Sequence, residues 1–232
     1  GTVLRPLLPH RQQEGAGGKL DGNLTLLAEQ KEMERYSKQL ASNQNKYRQE
    51  LASRRNEVEK LNREVEKLLA QAIEQQEKKS ADKKDYPVFA ASTAQLSADF
   101  AANKGKLPWP VTNGVVIEKF GQHYHPLFKG VKLPFNNGIN ISTPAGNNVR
   151  SVFHGVVSRV VIIPGYNQCV LIEHGNYFTF YCKLADVSVK VGDKVGTGDI
   201  IGTLAVSNNT STLHFELWNK TVKQNPELWL AR

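Results

Sequence analysis

The sequence predicts a mainly antiparallel β domain, a sandwich or partly open barrel, behind one long N-terminal helix. Three observations predict it. Residues 24–79 contain neither glycine nor proline, and apolar positions recur there at seven-residue intervals. Residues 108–232 break into short β-branched runs separated by glycine turns. No helical run of useful length interrupts those runs.

The helix comes first. One series runs Met33, Leu40, Tyr47, Leu61 and Leu68, and a second runs Leu51, Val58, Val65 and Ala72. They interleave at alternating steps of three and four, which is a heptad seam. Arg54 and Gln44 interrupt it. At the rise of an α-helix, residues 24–79 would extend roughly 80 Å, too long to bury a stripe against itself. Such a coiled-coil helix needs a partner: another copy, an antiparallel coil or a different protein. It serves as a spacer or as a docking arm.

Ahead of it, residues 1–23 carry "RQQEGAGGKLDGN" and read as a flexible Gly-rich segment. Residues 80–107 read as a charged linker and a short helix. Ser92 caps that helix, Leu96 and Phe100 lie one turn apart, and Gly105 stops it. Residues 108–232 form the β domain, with runs such as "GVVIEKF", "VVSRVVII", "QCVLIEH", "YFTFYCKL" and "TLHFELW". "VKVGDKVGTGD" reads as a hairpin with alternating valines.

Composition bounds the function. The formal net charge is +8, but the basic residues of 31–84 alternate with acidic ones, as on a solvated helix face. No basic patch studded with aromatics appears, so nucleic acid is not an expected partner. The surplus suits an anionic surface, such as a phospholipid face or a cell-wall polymer. No run of about 18 apolar residues marks a membrane span. No secretory leader is legible, and its removal from a mature form is the expectation. Cys169 and Cys182 lie in strand-like runs and read as free and buried, with a single bridge between them as the alternative.

The β segment resembles the LytM, or M23, family of zinc metallopeptidases, which cleave peptide cross-links in peptidoglycan. The likeness runs from about Leu107 to Leu230. It rests on "LPWPVTNGVV", "NNGINIS", "FHGVVSRV", "VKVGDKVGTGDIIG", "LHFELW" and "NPELWL". With a heptad arm in front, the whole resembles the EnvC-like murein hydrolase activators. The resemblance implies the duplicated-hybrid-motif type of β fold.

The same resemblance assigns roles residue by residue. Active members open with His-x-x-x-Asp, whose ends bind zinc; here Asn136 and Asn140 stand there. The closing His-x-His supplies the third ligand, and His214 keeps it, but Thr212 replaces the assisting first histidine. In Tyr-x-His-Leu, Lys183 replaces the other. Catalytic zinc takes three protein ligands and leaves a position for water. Without it, water keeps a pKa near 15.7 and is no ready nucleophile at neutral pH. A neutral carboxamide is a poor zinc donor, and a lysine beside the site opposes a dication. No metal, no cofactor and no catalytic residue are therefore expected.

The remaining histidines offer little rescue. His123 and His125 form a His-x-His pair that could in principle join His214 on a metal, or lie in a polar loop before Pro126. His154 and His174 precede glycines at strand ends and read as turn residues. Tyr166, Asn167 and Asn208 read as groove-rim residues.

The expectation is a noncatalytic activator of a cell-wall amidase during cell division, located in the periplasm or cell envelope. The resemblance implies docking of the coiled coil on an FtsE–FtsX-like membrane complex. Residues 92–103 are a candidate restraint on the groove. The alternatives are a noncatalytic peptidoglycan-binding module, a zinc endopeptidase with unusual ligands, and a coiled-coil scaffold.

Overall fold

The computed structural model describes residues 17–81, 86–125 and 130–232. The chain divides into two units, Gly1–Ala52 and Ser53–Arg232. The first helix, α1, spans Gly17–Ala81 and enters both. Residues 17–23, expected as part of a flexible segment, are helical; residues 1–16 lie outside the described residues. A glycine costs a helix only about 1 kcal/mol, which propagation from a long run behind it can override. Among the described residues, no helix is long and apolar enough to cross a membrane.

The seam behaves differently in the two units. In the first, Met33, Leu40 and Tyr47 are exposed. In the second, Leu61, Val65, Leu68, Leu69 and Ala72 are buried in one cluster with Cys169, Leu171, Phe178, Phe180, Cys182 and Trp218. The expectation that the seam needs a partner outside the chain is thus corrected for residues 61–72. Their stripe finds an apolar sheet face in its own unit.

That sheet has eleven strands among the described residues. They are β1 (Val115–Glu118), β2 (Ile139–Pro144), β3 (Asn148–Arg150), β4 (Gly155–Ile163), β5 (Asn167–His174), β6 (Tyr177–Val187), β7 (Lys194–Val195), β8 (Ile200–Leu204), β9 (Val206–Ser207), β10 (Thr210–Asn219) and β11 (Val222–Gln224). The main path runs β1-β2-β10-β6-β5-β4-β7, and its pairings are antiparallel. β8 joins β3 to the far half of β6. Two separate sheets, as in a sandwich, do not form. One sheet curls, so that Val149, Val195, Ile201 and Leu204 share a core with Ile141, Tyr181, Leu213 and Phe215. With α1 on the opposite face, the second unit is a mixed α/β assembly built on an antiparallel sheet.

The stretch expected as a valine hairpin is mostly turn. Only Lys194–Val195 pairs, and with β4. Asp193 Oδ2 accepts the N–H of Lys190, and Asp199 Oδ2 accepts that of Gly196, closing two tight turns that compete with a ladder.

The second helix, α2, spans Tyr86–Ala102, longer than the short helix expected. Fully buried Phe100 stacks on Tyr177 with ring centroids 4.7 Å apart. Ser97 Oγ accepts the N–H of Asn176 at 2.8 Å. At Gly175, whose φ is +74°, a Cβ would sit 2.3 Å from Ser97 Oγ, so the β5–β6 turn admits α2 only as glycine. Backbone N–H groups of Gly105 and Leu107 both donate to Trp229 O, tying the two ends of the β domain together.

Candidate functional site

Three strands assemble the candidate site. Asn140 on β2 faces His214 on β10, which faces Cys182 on β6. Side chains two apart on a strand share a face. Thr212, His214, Glu216 and Trp218 therefore point to the side that α1 covers, while Leu213, Phe215 and Leu217 enter the other core. The structure brings Asn140, Thr212 and His214 onto one sheet face.

These side chains form a polar relay. His214 Nδ1 lies 2.7 Å from Asn140 Oδ1, and His214 Nε2 lies 2.9 Å from Glu216 Oε1. The Trp218 indole N–H donates to Glu216 Oε2 at 2.7 Å. Asn140 Nδ2 donates in turn to Glu118 Oε2 on β1. Glu216 is fully buried and His214 nearly so. Full pairing is what makes a buried polar group tolerable. Glu216 and Trp218 were not singled out as site residues; the Phe-Glu step after the histidine was the available signal.

Asn136 is used differently. It sits in the turn before β2, exchanges two backbone hydrogen bonds with Gly121, and accepts the N–H of Gly138 on its own Oδ1 at 3.2 Å. Its Nδ2 donates to Lys119 O at 3.1 Å. A Cβ at Gly138 would lie 2.1 Å from Phe215 O, so this turn packs directly on β10. Asn136 thus locks a turn.

Lys183 marks a break in β6. Its φ is +72°, and it falls where the pairing of β6 shifts register. Its N–H donates to Tyr166 O at 2.7 Å, and its ammonium stands 5.7 Å from the Tyr166 ring centroid. Burial lowers the Lys183 pKa, while the carboxylate of Glu118 works against the shift. The Tyr166 ring meets His214 edge-on at 5.5 Å, and burial pushes its phenol well above the usual range. Of the three rim residues, Tyr166 therefore lies against the relay. Asn167 and Asn208 occupy positive-φ positions, at 55° and 49°, the first opening β5 and the second in the turn before β10.

The donor set does not fit zinc. A histidine ligand must aim a free ring lone pair at the metal, whereas both His214 nitrogens face side-chain oxygens. The two other positions that the resemblance assigns to ligands hold carboxamides, Asn136 bonded within its own turn and Asn140 to Glu118 and His214. Among the described residues no group of three His, Cys, Asp or Glu side chains is placed to hold a metal.

α1 closes over this face. Asn137 Nδ2 donates to Asn62 Oδ1 at 2.7 Å, and Lys223 pairs with Glu66 at 3.2 Å. Gln76 Nε2 reaches Gly175 O at 3.4 Å. α2, by contrast, docks at Gly175–Tyr177. Tyr177 faces Asn219, five residues along β10 from His214, which is roughly 17 Å at strand rise. The helix over the candidate site is thus α1, through Asn62 and the residues 61–72 packed on that face, while its Gln76 reaches the Gly175 turn at which α2 docks.

Residues 134–226 match the model of peptidase family M23. A peptidoglycan DD-endopeptidase, ShyA of Vibrio cholerae, is 37% identical over 99 residues, covering 40% of this chain and 22% of that protein. An uncharacterized metalloprotease of Buchnera aphidicola is 34% identical over 119 residues, covering 48% of this chain and 30% of that protein. The chain therefore spans less than a third of the length of these relatives. Csd3 of Helicobacter pylori superposes with a TM-score of 0.47 at 24% identity, over 54% of this chain and 35% of that one.

Proposed function

We propose that this chain is a noncatalytic regulator of a peptidoglycan hydrolase at the cell envelope, and specifically an activator of a cell-wall amidase. The single observation that carries the reading is the capture of His214 between Asn140 and Glu216 beneath a helix of the same chain. A face that retains its shape after losing its chemistry is suited to binding. Here the face is apolar enough to bury five side chains of α1. A partner helix of similar pattern would compete for the same strip.

In this reading, residues 61–76 shield the face, and the exposed seam of Met33, Leu40 and Tyr47 docks on an FtsE–FtsX-like membrane complex in the periplasm. Docking draws α1 away and frees the face for the amidase. The similarity to a peptidoglycan endopeptidase supports an envelope setting.

The test uses dye-labelled sacculi and a purified amidase from the same organism. The full chain alone should release no dye. Full chain bearing Leu69→Lys, which loosens α1, should raise amidase-dependent release several-fold above wild type. Equal release with and without the chain, for both forms, would end the activator reading. Sedimentation of the chain with sacculi in the absence of amidase would instead favour a peptidoglycan-binding module.

A further inference from the structure

The β5–β6 hairpin pairs His174 with Tyr177, Glu173 with Phe178, Ile172 with Thr179, Leu171 with Phe180 and Val170 with Tyr181. The next residues along the two strands are Cys169 and Cys182, whose thiols adjoin each other. The register then shifts, so that Gln168 faces Leu184 and Lys183 is the extra residue. Directly opposed residues of antiparallel strands have Cα atoms about 4.5–5.5 Å apart. That lies inside the span of about 4.4–6.8 Å that a disulfide bridges. Both cysteines are free, both are fully buried, and both belong to the apolar cluster under α1. They therefore point to the same side of the sheet.

We propose that Cys169 and Cys182 are a covalent modification site: a cross-strand dithiol that closes to a disulfide, by exchange with a disulfide-bearing oxidant, when α1 leaves the sheet face. One cysteine thiolate attacks the oxidant's S–S bond and expels one oxidant sulfur as a thiol. The second cysteine thiolate then attacks the protein sulfur of that mixed disulfide and expels the other. Two cysteine thiols are oxidised by two electrons in total, their two protons pass to the departing sulfurs, and the oxidant is reduced to two thiols.

Coverage governs the reaction. Leu61, Val65 and Leu69 share the cysteines' cluster and exclude solvent from them. Burial, and after it the adjoining Cys169 thiol, hold the Cys182 thiol well above its ordinary pKa, which disfavours the Cys182 thiolate while the helix is down. The bond would pin β5 to β6 beside the Lys183 bulge and below Tyr166, at the rim of the candidate site.

The test exposes the full chain to oxidised glutathione, denatures it, labels remaining thiols with N-ethylmaleimide and weighs the intact protein. The expected product has lost two hydrogens and takes no maleimide until reduced. Leu69→Lys should form it about tenfold faster than wild type, as a locally opened face would. Circular dichroism checks that the variant stays folded; should it unfold, Asn62→Ala, which removes the bond to Asn137, is read in its place. Cys169→Ser and Cys182→Ser should each stop at a single glutathione adduct. Two maleimides on both wild type and the opened variant after exposure would overturn the proposal. So would adducts or intermolecular dimers in place of the internal bond.

Discussion

His214 and Asn140 stand opposite each other on β10 and β2, with 2.7 Å between His214 Nδ1 and Asn140 Oδ1. The contact joins two positions that the resemblance assigns to zinc ligands, a histidine kept and an asparagine in place of an aspartate. In place of two ligands pointing at a common ion, one side chain points at the other. This converts a divergence in sequence into a closed hydrogen-bonded relay running from Glu118 to Trp218.

The relay predicts what a ligand graft must change. Purified wild-type chain dialysed against zinc and then buffer should hold no stoichiometric metal by plasma emission spectrometry. Asn136→His with Asn140→Asp supplies an imidazole and a carboxylate beside His214, and should retain about one zinc per chain. Stoichiometric zinc on the wild type would contradict the site described above.

Glu216 should matter for stability more than for any chemistry. Its two oxygens accept from His214 and Trp218 while fully buried. Glu216→Ala strands both partners in the core and should cost about 3 kcal/mol in urea unfolding. Glu216→Gln keeps one acceptor oxygen and should cost visibly less.

The two halves of the seam should respond oppositely to truncation. Leu61 and Leu69 are each 1% exposed, so alanine at either should destabilise the Ser53–Arg232 unit by about 2–4 kcal/mol. Leu40 is 70% exposed, and Leu40→Ala should stay within about 0.5 kcal/mol. Equal, negligible effects at all three positions would mean that α1 does not pack on the sheet in solution.

His174 sets a pH dependence. It is buried between His154 O and Thr179 Oγ1, at 2.8 Å from each, and burial lowers its pKa to about 4 from an ordinary 6.5. The folded state thus binds fewer protons than the unfolded one in that window. Its contribution is complete above about pH 6.5 and is lost as pH falls towards about 4, some 3 kcal/mol in all. Urea midpoints measured across that range should slope upward with pH, and His174→Gln should flatten the slope.

Much of the candidate site was legible in the sequence. The resemblance assigned Asn136, Asn140 and His214 to the family's ligand positions and Thr212 to an assisting histidine, and these residue types make a poor donor set for zinc. What replaced that chemistry was not legible. The pairing of His214 with Glu216 follows from strand alternation, but the closing contacts to Asn140 and Glu118 depend on which strands lie side by side. The bulge at Lys183 was equally hidden, because a lysine carries no signal of a left-handed backbone.

The sequence by itself determined the long helix, the β-rich domain and the loss of a metal-binding donor set, because periodicity and side-chain chemistry are local properties. Only the tertiary structure decided where the seam is spent. Leu61, Val65 and Leu68 follow the same heptad as Met33, Leu40 and Tyr47, yet one group is buried and the other exposed. Hydrophobic burial is non-directional and accepts whichever apolar surface is near. A stripe on a helix therefore states that it will be covered, and only the folded chain names the cover.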